Sequence, residues 1–415
     1  ETAINIGYSC ALLSNEMGRA VIEANYINGV KYQLHEAFIF VNSEQYSKFA
    51  LVVSGDSLVQ ITTSNLMGKF VQLLDKVEVV LACRVSPQQK SDIVNLVKET
   101  KKEVRTLAIG DGANDVNMIN SAHVGVGIAG LEGNQAARAS DYSIGQFRFL
   151  QRLMFVHGEE SYRRNANLIC YNFYKNVLLV MPLFFYGIFS AFSGQILYNM
   201  WTYNFFNVSF AFFPIFFYAI FDRVIEYSKL EKTPRLYRLG QDNLLFETDI
   251  FWKWIIEATL QAFAIAVVVV ISICYYSGDS EYGRNFGMWV ASDLILGIVV
   301  IVSNLKILCF SYILFWFSIL VNILSILTYF GASALITMVL PISETLDNFD
   351  GRGSTYMMLV NPNSYSAAVL LVVVCFLFYP IKQHIEELVG LLKSKSKYEE
   401  PEEEQLLEEE SIPLS

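Results

Sequence analysis

The sequence predicts a parallel α/β domain at the front and an all-α bundle of six membrane spans behind it. Three observations carry that prediction. Short β-branched runs alternate with helical patterns over residues 1–155, and beyond them come charge-free stretches longer than any soluble helix needs. The composition is the third: 53% of the 415 residues are hydrophobic and only 17% charged, against ~25% charge in an ordinary soluble domain. These numbers exclude a purely soluble globule and a disordered chain. A net charge of −10 also excludes a nucleic-acid binder, which needs a basic face. The six cysteines lie far apart and form neither a disulfide framework nor a CxxC metal site. The first residue is Glu1, no signal peptide is legible, and the start reads as truncated.

In the front part the strand candidates are FALVVSG (49–55), VEVVLA (77–82), RTLAIG (105–110) and VGVGI (124–128), each bounded by Gly, Ser or Pro. Between them SPQQKSDIVNLVKET (86–100) and NDVNMINSA (114–122) carry helical periodicity. Strands alternating with helices give a doubly wound parallel sheet, whose chemistry collects at the carboxyl ends of the strands. Two features occupy that place. In AIGDGANDVNMIN, glycines let the backbone turn sharply between Asp111 and Asp115, a carboxylate pair that could hold Mg²⁺ through oxygen while Asn114 donates to a phosphate. In RVSPQQK, Arg84 and Lys90 flank Pro87, which fits the first position of a helix. Taken singly, the first is also an ordinary helix N-cap and the second a solvated lysine. Together they match what a phosphate with Mg²⁺ requires, one fixed cation and two carboxylates.

From Asn176 to Phe221, 46 consecutive residues lack Asp, Glu, Lys and Arg. That is twice the ~20 residues of one span, so a hairpin of two spans joined by a turn near Ser193–Tyr203 is expected. Further runs bring the count to six spans, at about 166–192, 203–221, 255–276, 287–305, 309–330 and 362–380. Lys and Arg concentrate in Asp222–Lys253 and at the two flanks, whereas Arg284 and Arg352 stand on the opposite side, so both termini are expected in the cytosol. Residues 391–415 read as a disordered acidic tail, with eight Glu in Tyr398–Ser415 accounting for most of the net charge.

Within the first two spans no carboxylate appears from Leu168 to Phe221, which argues against a hard-cation site there. One cation does appear. Lys175 costs on the order of 2.5–3.5 kcal/mol near mid-bilayer, which makes it a functional candidate, with a snorkelling structural lysine as the alternative. Asn176 flanks it and Asn207 lies on the facing span, and a cation among amides suits an anionic headgroup better than a metal ion. Asp293 is the one clean acid of the later spans, expected to pair with Lys306 or a polar neighbour, while Glu257 sits where a span begins.

The order of ETAINIGYSC, RVSPQQK, IGDGANDVNMI, EGNQAARASDYSIGQFRFLQRLMFVHG and NFYKNVLL resembles the C-terminal part of a type-four P-type ATPase, the phospholipid flippase family, over residues 1–380. The resemblance implies a haloacid dehalogenase-like phosphorylation domain, here partial over 1–155, followed by a transmembrane domain over 156–390. It implies an enzyme that uses ATP and Mg²⁺ to move phospholipid from the outer to the cytosolic leaflet through an aspartyl phosphate. Site by site, it implies Mg²⁺ at Asp111, a phosphate loop at Asn114 and Asp115, charge neutralisation by Lys90, and headgroup handling by Lys175 and Asn176. A multi-pass protein of the plasma membrane or an endomembrane is implied, with a two-span accessory subunit as in most members. Two departures stand out. The Asp-Lys-Thr-Gly motif that carries the phosphorylated aspartate is missing, so these residues alone are expected to be inactive. Ser54-Gly55-Asp56 also replaces the Asp-Gly pair of many members, and no catalytic role falls to Asp56. A cation-transporting P-type ATPase and a non-enzymatic half-pump are the alternative readings.

Overall fold

The computed structural model describes residues 1–43, 46–64, 66–130, 134–276, 287–313, 316–339, 353–360 and 362–377. The acidic tail expected at 391–415, Arg284, Arg352 and the end of the sixth expected span lie outside the described residues. The chain divides into two compact units, Glu1–Leu150 and Gln151–Ser415.

The first unit holds two three-stranded parallel sheets rather than the single doubly wound sheet that the alternation predicts. One runs β1 (Gly18–Ile22), β2 (Phe49–Ser54), β3 (Val79–Cys83); the other β4 (Leu107–Gly110), β5 (Val124–Ile128), β6 (Tyr142–Ile144). All four predicted strands are present. β1 and β6 escape sequence reading for a physical reason: GRAVI opens on a glycine and a charge, and YSI is three residues long with little burial. β2 is buried on both faces, as a central parallel strand must be, and its Leu51 and Val53 share a core with Val30 of α2 (Ile27–Val41) and Ile61 of α3 (Gly55–Thr63).

The second unit is helical. Among the described residues five helices are long and apolar enough to cross a membrane, or six if the bent pair Ser354–Val360 and Ser364–Val373 counts as one span, which makes this an integral, multi-pass membrane protein. α1 (Thr2–Ser9) opens the first unit, where α4 (Pro87–Thr100) and α5 (Val116–Ser121) follow α3 among shorter helices. The second unit includes α6 (Glu159–Phe189), α7 (Phe212–Phe221), α8 (Thr248–Tyr276), α9 (Met288–Phe310), α10 (Trp316–Ala334), α11 (Ser354–Val360) and α12 (Pro362–Leu377). α6 packs along α8, and α9 is the most enclosed helix.

Helix bounds differ from the expected spans where the sequence offers no charge to mark them. The first helix starts well before residue 166 because its charged opening turns are themselves helical, with Glu160 bonded to Arg163 and Arg164 one turn on. The fifth begins at Trp316 rather than 309, since α9 runs on to Phe310 and the N–H groups of Tyr312 and Ile313 then donate to Asp222 Oδ1. Pro214 has a specific cost and a specific remedy. It lacks the N–H that would reach the Phe210 carbonyl four residues back, so that carbonyl accepts instead from Asn304 Nδ2 at 3.0 Å and from Ser325 Oγ. A π-helical turn, Phe206–Phe210, ends at the same place.

Candidate functional site

In the first unit the site is built from the ends of β3 and β4. Gly110 closes β4, and a Cβ there would lie 2.3 Å from the Cβ of Asp115, so only glycine lets the 3₁₀ turn Ala113–Asp115 fold back over the strand end. Asp115 is thereby buried, and Lys90 Nζ donates to its Oδ1 at 2.7 Å. Lys90 is held in turn by a capped helix. Ser86 Oγ accepts from Gln89 N, Gln89 Oε1 accepts from Ser86 N, and Pro87 occupies the first turn of α4. Gln89 Nε2 also donates to Gly55 O at 2.8 Å, and a Cβ on Gly55 would meet Arg84 O at 2.3 Å, which locks the turn after β2 against that after β3. Arg84 has φ of 55° in this contact. Ser91 and Ser121 share a hydroxyl hydrogen bond of 2.7 Å that ties α4 to α5.

The structure thus brings Lys90 and Asp115 together. Asp111, Asn114 and Arg84 are exposed, and no side-chain hydrogen bond or ion pair engages them among the described residues. Asp56 is exposed in the first turn of α3, where its charge suits the helix dipole and Ser54 supplies the cap. No group of three or more metal-ligating side chains exists among the described residues. Mg²⁺ needs only one or two protein carboxylates beside water and phosphate oxygens, and the exposed, unpaired Asp111 fits that requirement; Asp115 has one oxygen already held by Lys90.

In the second unit Lys175 is 6% exposed on α6. Its nearest aromatic contact is the Tyr171 ring, 6.0 Å from Nζ, and among the described residues Nζ has no hydrogen bond or ion pair. Asn176 and Asn207 are exposed, so the structure does not gather the predicted amides around the ammonium. Consecutive helix residues point about 100° apart, which is why Asn176 leaves the face Lys175 occupies.

Two polar clusters decide between the two partners expected for Asp293. Lys306 pairs with Glu257 Oε1 at 2.6 Å, not with Asp293, and lies over the rings of Trp254 (4.6 Å) and Tyr174 (5.0 Å). Thirteen residues along one helix separate Asp293 and Lys306 by ~20 Å, too far to pair. Gln261 completes this cluster: its Nε2 donates to Glu257 and to Cys375 O, and its Oε1 accepts from Tyr174 Oη. Asp293 instead accepts from Ser354 Oγ at 2.6 Å and Thr355 Oγ1 at 3.2 Å, the polar-neighbour alternative. A third cluster lay unread in the sequence: Arg163 donates to Asp222 Oδ2 at 2.7 Å and Glu160 Oε2 at 2.9 Å in a setting almost closed to solvent. The available signal was that Asp222 is the first acid after Glu160, with the acid-free hairpin lying between it and Arg163.

Residues 137–389 match the family model described as phospholipid-translocating P-type ATPase C-terminal. The chain is 40% identical over 295 residues to a phospholipid-transporting ATPase of Schizosaccharomyces pombe, covering 70% of this chain and 23% of that protein. It is 37% identical to the phospholipid-transporting ATPase DRS2 of Saccharomyces cerevisiae, over 73% of this chain and 23% of the relative. Against phospholipid-transporting ATPase 1 of Arabidopsis thaliana the identity is 35%, over 71% of this chain and 25% of the relative. The chain therefore spans about a quarter of the length of these relatives.

Proposed function

This chain belongs to the phospholipid-translocating P-type ATPases, and from that premise we propose that its residues serve an ATP-driven pump carrying phospholipid from the outer to the cytosolic leaflet. In this reading residues 1–155 are the rear of a haloacid dehalogenase-like phosphorylation domain, 156–390 a six-span bundle with both ends cytosolic, and 391–415 an acidic tail. The membrane is the plasma membrane or an endomembrane, and a two-span accessory subunit accompanies the pump.

The observation that carries the transport reading is a buried Lys175 with no hydrogen-bond or ion-pair partner among the described residues, in a stretch without a single acid. A buried cation left without an anion is costly, and an anionic lipid headgroup arriving in the membrane relieves that cost. Asn176 and Asn207 are exposed and belong to this path if the headgroup passes along the outside of α6 and the turn before α7.

For phosphoryl transfer, Lys90 sets a fixed positive charge beside Asp115, and Asn114 offers an amide donor to the phosphate. Asp111 and Asp115 would hold Mg²⁺, and the ion would neutralise charge on the phosphoryl group supplied by ATP. The phosphorylated aspartate is not among these residues, since no Asp-Lys-Thr-Gly occurs in them.

ATPase assays on the full-length protein test the reading against its nearest rival. Stimulation by phospholipid and indifference to transported cations are expected, while cation-dependent, lipid-independent turnover would replace this reading with that of an ion pump. Asp111→Asn is expected to abolish Mg²⁺-dependent phosphoenzyme, and normal phosphoenzyme in that variant would remove Asp111 from the metal site.

A further inference from the structure

A cavity of about 230 Å³ opens where α7 ends and α10 begins. Phe217 and Phe221 of α7, Ile307 and Leu308 of α9, and Trp316 and Asn322 of α10 wall it. Its walls are mainly apolar and aromatic, with Phe217 set edge-on to Phe317 at 5.0 Å. The polar groups on the wall are mostly committed. Both oxygens of Asp222 are taken, one by Arg163 and the other by two backbone N–H groups, and Ser311 Oγ donates to Ile307 O. Asn322 is the exception. The residue is 3% exposed and its Nδ2 donates to Ser318 O, but its Oδ1 is buried with no hydrogen-bond partner.

A buried carbonyl oxygen without a donor is rare in folded proteins and calls for an explanation. The charge on the wall narrows what can supply the donor. Among the described residues no Lys or Arg lines the cavity, so a phosphate finds no cation there. The one carboxylate is already neutralised by Arg163, so an ammonium headgroup finds no free anion. What matches is an uncharged, rigid apolar body bearing a single hydroxyl donor. We propose that this cavity takes the hydroxyl end of a membrane sterol, whose O–H donates to Asn322 Oδ1 while its rings lie against Phe217, Phe221 and Trp316. The volume is below the ~300–1,000 Å³ of pockets that enclose a whole ligand, so the sterol enters by one end and the rest lies along the helices in lipid. This site is separate from Lys175 and does not depend on the transport reading.

The test is photolabelling of the full-length protein in phosphatidylcholine vesicles containing a photoreactive sterol, with the labelled peptides mapped. Labelling is expected within 217–222 and 307–322, competed by unlabelled sterol but not by the same sterol with its hydroxyl oxidised to a ketone. Asn322→Leu, which keeps the volume and removes the acceptor, is expected to lower this labelling by about fivefold, the factor for one neutral hydrogen bond. Ile307→Trp, which fills the cavity and leaves Asn322 intact, is expected to lower it as well. Equal competition by the ketone, full labelling of Asn322→Leu, or equal labelling by a photoreactive phosphatidylcholine would overturn the proposal. So would an unlabelled cavity, as when another transmembrane segment of the full-length protein covers it. The ketone comparison uses the unmodified protein, so it decides even if a variant fails to fold.

Discussion

Asp115 and Lys90 illustrate how much rests on single residues. Their 2.7 Å contact joins side chains 25 positions apart, and it exists because Gly110 leaves room for the Asp115 side chain. Replacing Gly110 with Ala forces a Cβ to within 2.3 Å of Asp115 Cβ, so the turn must move. Gly110→Ala is expected to reduce phosphoenzyme formation in the full-length protein as strongly as Lys90→Ala, by about a hundredfold, the scale of losing one preorganised charge contact. Phosphoenzyme levels at neutral pH measure both, and near-normal phosphoenzyme in either would detach this turn from the chemistry. In the membrane unit, Glu257→Gln leaves the Lys306 ammonium, 1% exposed, without its carboxylate and should cost about 3 kcal/mol. The pair Glu257→Gln with Lys306→Met should recover most of that loss in thermal unfolding; a double variant as unstable as the sum of the singles would show that the pair is not the unit that matters.

At the scale of elements, proline and polar side chains act together. Because Pro214 leaves Phe210 O without its helical donor, Asn304 and Ser325 reach it from two other helices and pin α7 to them. Asn304→Leu is expected to cost about 1 kcal/mol in the native background and clearly less beside Pro214→Ala, where the backbone N–H is restored. Thermal unfolding of the two singles and the double checks this, and strict additivity would show that the two side chains do not answer for the proline. The helices themselves were legible because charge disappears from the sequence where they cross the membrane. Their bounds were not legible inside Ile307–Ser343, where no charge marks where one helix stops and the next begins. Strands β2 to β5 were legible from β-branched runs between glycines. The division into two sheets was not, because strand order depends on contacts between residues far apart in sequence. The site followed the same rule: Lys175 stands out as a lone charge in an apolar run, and Lys90 with Asp115 as complementary motifs, whereas Glu257 and Lys306, 49 positions apart, carry no local sign of each other.

For the whole molecule, composition separates into a charge-bearing α/β unit and a nearly charge-free bundle in which most of the buried charges among the described residues are paired. Arg163 has Asp222 and Glu160, Lys306 has Glu257, and Asp293 has two hydroxyl donors. Glu159 and Lys175 have no such partner among the described residues. Glu159 stands in the first turn of α6, before the acid-free run, whereas Lys175 lies inside that run, and the account of lipid transport turns on Lys175. The most direct test is labelled-phospholipid uptake by the full-length protein carrying Lys175→Ala, read beside its phosphoenzyme level. Uptake and lipid-stimulated ATPase are expected to fall by about tenfold to a hundredfold, the loss of one charge-assisted contact, with phosphoenzyme still formed from ATP. Uptake and lipid stimulation equal to those of the unmodified protein would contradict the account.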